Sequence, residues 1–206
     1  MPAQQQAVDV ACYAMTTQQA LQLVTFLKEK NIQFDTGLTD HELLQIQQNF
    51  DVVFPPDLKL FLQTGLPVSE SFPNWRKALN DKQTEQIIFD WLEDPLSGIL
   101  FDIEQNVFWA PEWGQLPDSL EQRFSIAKQN IKKYPKLIPI FSHRYISGDP
   151  NENDNPVYSV YQTDIIYYGY NLATYLSHQF NFKLSDNFQI PDAPKTTIKF
   201  WSDIAS

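Results

Sequence analysis

The chain has 206 residues, of which 43% are hydrophobic and 19% charged, a composition typical of folded rather than disordered proteins. At about 150 residues per domain, this length predicts one large domain or one domain with an extension. Fifteen basic residues against 25 acidic ones give a net charge of −10. Because so negative a surface repels phosphate backbones, direct nucleic-acid binding is disfavoured.

The cysteine count and the hydropathy exclude further classes of protein. A single cysteine, Cys12, excludes an intramolecular disulfide and a multi-thiolate metal site. The first basic residue is Lys28, so the beginning of the chain lacks the charged lead of a signal peptide. No apolar run approaches the ~20 residues that a membrane-spanning helix needs. These features predict a soluble, cytoplasmic protein with no membrane attachment.

The start of the chain, residues 1–15, carries the run Gln4–Gln6 and no clear hydrophobic period. We expect it to be a loosely held segment ahead of a single domain that spans residues 16–206. Capping-box sequences at Thr16 and Thr39 predict the starts of two helices, since each hydroxyl can accept a hydrogen bond from the backbone N–H three residues on.

Prolines and a glycine indicate the boundaries of elements in the next part of the chain. The pair Pro55–Pro56 predicts the end of one element and the start of a third helix, which a left-handed Gly65 would stop. Residues 66–82 are predicted to be a loop. The helical period returns at Ile87, and we expect the pair Asp94–Pro95 to end it.

The middle and the end of the chain alternate β-rich segments with helical ones. Residues 99–103 and 107–109 predict the two strands of a hairpin. The longest helix is predicted over residues 117–134, because its apolar residues step by three and four and its charges match the helix dipole. Strands are expected over 137–141, 157–162 and 165–168, then a helix over 172–180 and a tail packed through Phe188, Ile190 and Trp201. This order predicts an α+β domain with a mostly antiparallel central sheet flanked by helices.

Charge is distributed unevenly along the chain. Residues 81–122 sum to −9, residues 123–144 to +6 and residues 149–192 to −5. Such blocks are ordinarily solvated surface, but an acidic face also attracts a basic partner and speeds its association by electrostatic steering. A protein that itself binds nucleic acid would present such a basic surface.

The motifs for metal binding and catalysis are incomplete. The segment His41–Gln45 lacks the second histidine of a zinc-protease helix. The polar loop of residues 147–156, read as a calcium loop from Asp149, has Asp154 where glycine must turn and Val160 where the bidentate glutamate belongs. No Gly-x-Ser-x-Gly elbow and no glycine-rich phosphate loop occurs. We therefore expect no metal, no cofactor and no catalytic centre.

Two groups of residues are candidate binding sites. The first is the aromatic segment with Trp109, Glu112 and Trp113. With Asp102 and Glu104, this segment could supply the paired carboxylates of a carbohydrate-active enzyme, although aromatic runs of this kind more often belong to a core.

The second group, His143, Arg144 and Tyr145, precedes the polar loop and could form a ligand-binding rim. Alternatively, Arg144 pairs with a loop acid, Asp149 or Asp154, and holds the loop down. The candidate partner-binding residues are Trp109, Glu112, Trp113, His143, Arg144, Tyr145 and Asp149.

Several segments resemble, in order, the SUKH superfamily, which includes fungal regulators of cell-wall glucan synthesis and many bacterial immunity proteins. The run Leu38–Ile46 and the segment Phe54–Leu62 are similar to the family's capped helix followed by Leu-Pro-x-Asp/Glu-hydrophobic-Lys, with Phe54 in place of the leucine. Further matches are residues 98–103, 108–114, 137–140, 155–160 and 164–169. Together they span about residues 38–180.

This resemblance implies a SUKH-like α+β fold, no catalytic centre and a protein-binding role, with a binding surface that varies among relatives. We expect a non-enzymatic immunity protein that neutralises a polymorphic toxin, often a nuclease, by direct binding. The expected partner is thus a basic toxin domain. An intracellular regulatory scaffold related to the fungal regulators and a carbohydrate-active enzyme are the alternatives.

Overall fold

The structure, a computed structural model, describes residues 14–205 and has an α+β architecture with antiparallel strands, as predicted. The first half contains α1 (Thr17–Glu29), β1 (Phe34–Asp35), α2 (Asp40–Phe50), α3 (Pro56–Thr64), β2 (Leu66–Pro67), α4 (Trp75–Ala78) and α5 (Lys82–Gln105). The second half contains a 3-10 helix (Pro111–Trp113), α6 (Leu120–Ile131), β3 (Leu137–Phe141), β4 (Arg144–Ser147), β5 (Val157–Tyr161), β6 (Asp164–Gly169), α7 (Leu172–Phe180) and α8 (Trp201–Ile204).

The first three helices begin where local signals predict. Thr16 and Thr39 cap α1 and α2, and in both cases a complete capping box forms with the residue three positions on. Helix α3 begins at Pro56. Gly65 follows α3 in an extended conformation, with φ −170°, so the prediction of a left-handed stop is wrong.

Helix α5 contradicts two predictions. Residues 99–103 continue this helix and residues 107–109 form no strand, so the predicted hairpin is wrong. Pro95 also lies inside the helix rather than at its end. Because a proline has no N–H, Pro95 cannot donate to the carbonyl of Trp91, four residues earlier in the helix. The hydroxyl of Tyr145 in β4 donates to that oxygen instead, at 3.2 Å. Because the sheet satisfies the freed acceptor, the helix continues through the proline.

Strands β3 to β6 form one antiparallel sheet in which consecutive strands are neighbours. The register places Arg144 opposite Ser159 and Ser159 opposite Ile166. Because side chains alternate along a strand, these three lie on one face of the sheet, while Tyr158 and Ile165 lie on the other. Strands β1 and β2 pair separately.

This sheet separates two hydrophobic cores. The first core packs one face of the sheet against α1, α2, α3 and α7, through residues such as Leu23, Ile46, Phe61, Ile146 and Leu176. The second packs the opposite face against α5, α6 and the C-terminal segment, through residues such as Ile99, Ala127, Tyr158, Phe200 and Trp201. Since both cores share the sheet, the described residues form a single domain.

The two ends of the domain match the predictions in part. Phe188 and Trp201 are buried, but Ile190 is 67% exposed, so its predicted packing is wrong. Met15 contacts the first core, whereas residues 1–13 of the segment predicted to be loosely held lie outside the described residues. Helix α6 is shorter than its predicted range of 117–134.

Candidate protein-binding surface

The seven candidate residues are distributed over three regions rather than one site. Trp109, Glu112 and Trp113 lie around the 3-10 helix between α5 and α6. The rings of Trp109 and Trp113 meet edge to face with centroids 5.2 Å apart. Trp113 is only 7% exposed and donates from Nε1 to the Tyr134 hydroxyl at 3.0 Å, so it is a residue of the second core rather than of the surface. Glu112 is exposed and Trp109 is half-buried.

Tyr145 is likewise internal, which corrects its assignment to a binding rim. Its side chain is fully buried in the second core, and its hydroxyl contacts the Trp91 carbonyl and a carboxylate oxygen of Asp94, at 3.2 and 3.3 Å. Burial, with the Asp94 charge, raises the pKa of the Tyr145 phenol. The residue therefore supports the proline-containing part of α5.

Asp149 lies at the opposite end of β4 from His143. It is exposed and lines a groove of about 660 Å³ between α5 and the segment that joins α6 to β3. The alternative in which Arg144 pairs with Asp149 or Asp154 is wrong, because Asp154 pairs with Lys195 at 2.8 Å. Among residues 14–205, Arg144 forms no ion pair at all.

Arg144 instead stacks on an aromatic ring of β6, two strands away in the sheet. Its guanidinium carbon lies 3.8 Å from the centroid of the Tyr168 ring, and its Nη1 donates to Ser159 Oγ at 2.8 Å. The Tyr168 ring also stacks on His178 of α7, with centroids 4.7 Å apart and planes 23° apart. Such a cation–π contact fixes a long side chain in one orientation.

One part of this sheet face is not covered by a helix. Helix α7 crosses the face, with Tyr175 against Tyr168 and Phe180 against Phe141. Beyond this contact, toward the β3–β4 and β5–β6 turns, Tyr161 is 68% exposed and Ile166 is 38% exposed. We call this region the open sheet face and define it by Arg144, Ser159, Tyr161, Ile166, Tyr168 and His178.

The composition of the open sheet face is typical of a protein interface. Tyrosine and arginine are enriched among the residues that contribute most to binding, because each combines a large contact area with polar groups. His143, exposed in the turn between β3 and β4, borders this face. Burial and the charge of Arg144 lower the pKa of His143, against the opposing effect of Asp94.

Helix α5 borders the same region with an acidic surface. Its only basic residue is Lys82, at its first position, and no further base occurs until Arg123. The exposed side of the helix, which we call the acidic α5 face, consists of Gln86, Asp90, Glu93, Asp94, Ser97, Phe101 and Glu104. Phe101 is 47% exposed there, so apolar and acidic groups share one surface.

Direct contacts hold the β5–β6 turn against α5. The backbone N–H of Thr163 donates to Asp102 at 2.9 Å, and its hydroxyl contacts the same carboxylate oxygen. Gly98 allows the helix and the turn to approach closely, because a Cβ at this position would lie 2.7 Å from the Cα of Gln162. The β5–β6 turn, which follows Tyr161 of the open sheet face, therefore lies against the side of α5 that carries Gly98 and Asp102.

Of the carboxylates considered for a sugar hydrolase, Asp102 has a structural role. Asp102 is buried, and although burial raises its pKa, the hydrogen bonds from Thr163 and Asn106 outweigh that effect and leave the pKa below its usual value. A general acid for glycoside cleavage needs a raised pKa, so Asp102 does not have the required property. Glu104 and Glu112 are exposed.

The polar loop also contributes to a structural network. Asp154 accepts a hydrogen bond from Asn171 at 3.0 Å and pairs with Lys195 of the C-terminal segment. No group of three or more His, Cys, Asp or Glu side chains suited to hold a metal ion occurs among residues 14–205.

The sequence predicted two residues at the open sheet face, Arg144 and His143, but not Tyr161, Ile166, Tyr168 and His178. The strand residues among these could have been predicted from the alternation of side chains between the two faces of the sheet along β5 and β6. Since Tyr158 and Val160 are core residues, Tyr161 had to lie on the opposite face of the sheet. Nothing in the sequence indicated that α7 leaves this part of the face uncovered.

Comparisons of the chain with protein-family models, with curated proteins and with solved structures find no match. The resemblance to the SUKH superfamily therefore stays a prediction. In the part of the chain that the structure describes, no helix is both long and apolar enough to cross a bilayer.

Proposed function

We propose that this chain is a non-enzymatic protein-binding module, and more specifically an immunity protein that neutralises a basic toxin domain by direct binding. The observation that carries the proposal is that one domain holds both the open sheet face and the acidic α5 face, linked by the contacts of the β5–β6 turn with α5. Exposed Tyr161, Ile166 and Phe101 provide apolar contact area, and no base on α5 after Lys82 offsets the carboxylates of that helix. The SUKH-like segments support the toxin-neutralising form of the proposal.

In the proposed mechanism, the chain neutralises the toxin by covering its active cleft. Long-range attraction between the acidic α5 face and a basic cleft speeds encounter, and the open sheet face then supplies the short-range contacts. An interface of about 800 Å² on each partner suffices for a specific complex. No covalent chemistry on the part of this chain is required.

Co-expression with the toxin domain encoded by the neighbouring gene tests this function. The chain should restore growth of cells that make the toxin domain and should co-elute with it in size-exclusion chromatography. Failure of both growth rescue and complex formation would contradict the proposal. Rescue without a complex would contradict the occlusion mechanism.

Charge reversal tests the role of the acidic α5 face. The double variant Asp90→Lys/Glu93→Lys should lower the association rate constant about tenfold at low salt, since both side chains are exposed and neither forms an ion pair among residues 14–205. The control Glu29→Lys/Asp186→Lys changes two exposed acids outside both faces by the same total charge. Equal effects of the two variants would show that net charge alone, and not this surface, guides association.

A further inference from the structure

We propose that Arg144 is the receptor for a carboxylate of the partner protein, an Asp or Glu side chain or a chain terminus that docks on the open sheet face. The inference rests on the proposed function, because it names one chemical group that the partner must supply. It adds a specific acidic contact to an interface whose overall charge complementarity requires a basic partner.

The hydrogen-bonding capacity of Arg144 is largely unused within the chain. A guanidinium offers five N–H donors, and in the described residues Arg144 makes one hydrogen bond, from Nη1 to Ser159. Arg76, which is also half-buried, shows the contrast. All three of its nitrogens are engaged, with Glu42 and with the carbonyls of Thr36 and Gly37. Arg76 is therefore satisfied inside the fold, whereas Arg144 is not.

The orientation of Arg144 is fixed before any partner binds. Tyr168 holds the plane of the guanidinium and Ser159 holds one of its nitrogens. Its Nε is buried and has no hydrogen-bond partner among residues 14–205. Because Nε is enclosed, a carboxylate must approach from the Nη end, where two parallel N–H groups match its two oxygens.

Helix α7 contributes two further buried polar atoms without partners in the described chain. These are the hydroxyl of Tyr175 and Oε1 of Gln179, which lie one helical turn apart. Burial raises the pKa of the Tyr175 phenol, and the nearby charge of Arg144 opposes that rise. Unpartnered buried polar atoms are rare in folded proteins. The Tyr175 hydroxyl lies close enough to Arg144 to be affected by its charge, so the two residues together indicate a polar site that the chain does not fill by itself.

Charge and shape favour a single protein carboxylate over a polyanion. The net charge of −10, to which the acidic α5 face contributes, repels a chain of phosphates. A lone carboxylate on an otherwise basic protein avoids that repulsion. Exposed Tyr161 and Ile166, on the same sheet face as the arginine, provide area for the apolar side chains that surround such a contact.

NMR titration of the whole chain tests the receptor without a partner. Sodium acetate at constant ionic strength and pH 7 should shift the Arg144 Nε–H and Tyr168 ring resonances in a saturable way. Acetamide, which has the same shape without the charge, should bind at least about tenfold more weakly. The variant Arg144→Gln should lose the acetate response, while Arg123→Gln on α6, with the same loss of charge, should keep it.

Several outcomes would overturn the assignment. Equal responses to acetate and acetamide, or an acetate response that persists in Arg144→Gln, would show that no carboxylate receptor exists. Inorganic phosphate binding tenfold more tightly than acetate would point to a phosphate ligand instead. Arg144→Lys keeps the charge but not the planar fork, so an unchanged acetate response in this variant would also contradict the bidentate geometry.

Binding measurements on the complex distinguish a failure of this inference from a failure of the proposed function. If the co-expressed toxin domain binds the wild-type chain, Arg144→Gln should raise the dissociation constant at least about tenfold and Arg123→Gln should not. Binding that Arg144→Gln leaves unchanged would overturn the carboxylate receptor and leave the protein-binding function standing. If the wild-type chain forms no complex, the proposed function fails, and the acetate titration still decides the receptor.

Discussion

Replacement of Asp57 by asparagine gives a stability test whose size follows from the structure. Asp57 is the second residue of α3 and is 3% exposed, and its Oδ1 accepts the Leu58 N–H at 2.8 Å. It pairs with no cation among the described residues, since Lys195 is engaged by neighbouring Asp154. Burial, helped by the Asp154 charge and opposed by the backbone hydrogen bond, raises the pKa of Asp57 from 3.8 to about 7.

The sign of the effect follows from the two protonation states. Between pH 3.8 and about 7, the folded chain keeps a proton on Asp57 that the unfolded chain has released. Stability attributable to this group therefore declines as pH rises through that interval and reaches its minimum above pH 7. At about 1.36 kcal/mol per pH unit, the full decline is about 4 kcal/mol. Asp57→Asn removes the titration and keeps an oxygen for the Leu58 N–H.

Urea unfolding followed by tryptophan fluorescence at pH 4 to 8 measures this effect. The free energy of unfolding of Asp57→Asn minus that of the wild type should increase by about 4 kcal/mol across the range, because the other titrating groups cancel in the difference. Asp118→Asn, at an exposed position, serves as the control and should show a flat difference. A flat difference for Asp57→Asn would refute the reasoning.

Three further substitutions test contacts that support the fold. Tyr145→Phe removes the donor to the Trp91 carbonyl and should lower the free energy of unfolding by about 1–3 kcal/mol; no loss in urea unfolding would mean that another group satisfies this oxygen. Glu42→Gln should lower the free energy of unfolding by about 1–3 kcal/mol at pH 7, because the Arg76 hydrogen bond lowers the pKa of Glu42 from 4.5 to about 2. The difference from the wild type should disappear as the pH falls from 4.5 to about 2, and a difference that does not depend on pH would contradict the reasoning. Gly98→Ala places a Cβ 2.7 Å from the β5–β6 turn and should cost about 1–3 kcal/mol in thermal unfolding, whereas an unchanged midpoint would show that the turn can move.

Local signals predicted several elements correctly. The capping boxes at Thr16 and Thr39 and the proline at the start of α3 each involve residues within one helical turn, so they act in any context that permits a helix. The strands β3, β5 and β6 and the helix α7 lie within a residue or so of their predicted ranges. In each of these cases local propensity and tertiary packing favour the same structure.

The candidate binding surface was predictable only in part. Arg144 and His143 were predicted as candidates because an arginine and a histidine beside a strand end are conspicuous in sequence. Their neighbours on the open sheet face come from β5, β6 and α7, and only strand pairing brings these residues together. Tyr145 was misjudged because adjacent strand residues point to opposite faces, and its face is the buried one.

By itself, the sequence determined the acidic charge, the α+β class and the starts of the early helices, because these depend on composition and on contacts a few residues apart. The tertiary structure alone decided that residues 99–103 are helical and that α5 continues through Pro95. A β-rich segment becomes helical when its apolar side chains pack against a sheet from one helix face, and a proline is tolerated when a distant hydroxyl donates to the carbonyl it frees. Both conditions depend on residues far away in the chain, and for that reason no local pattern could reveal them.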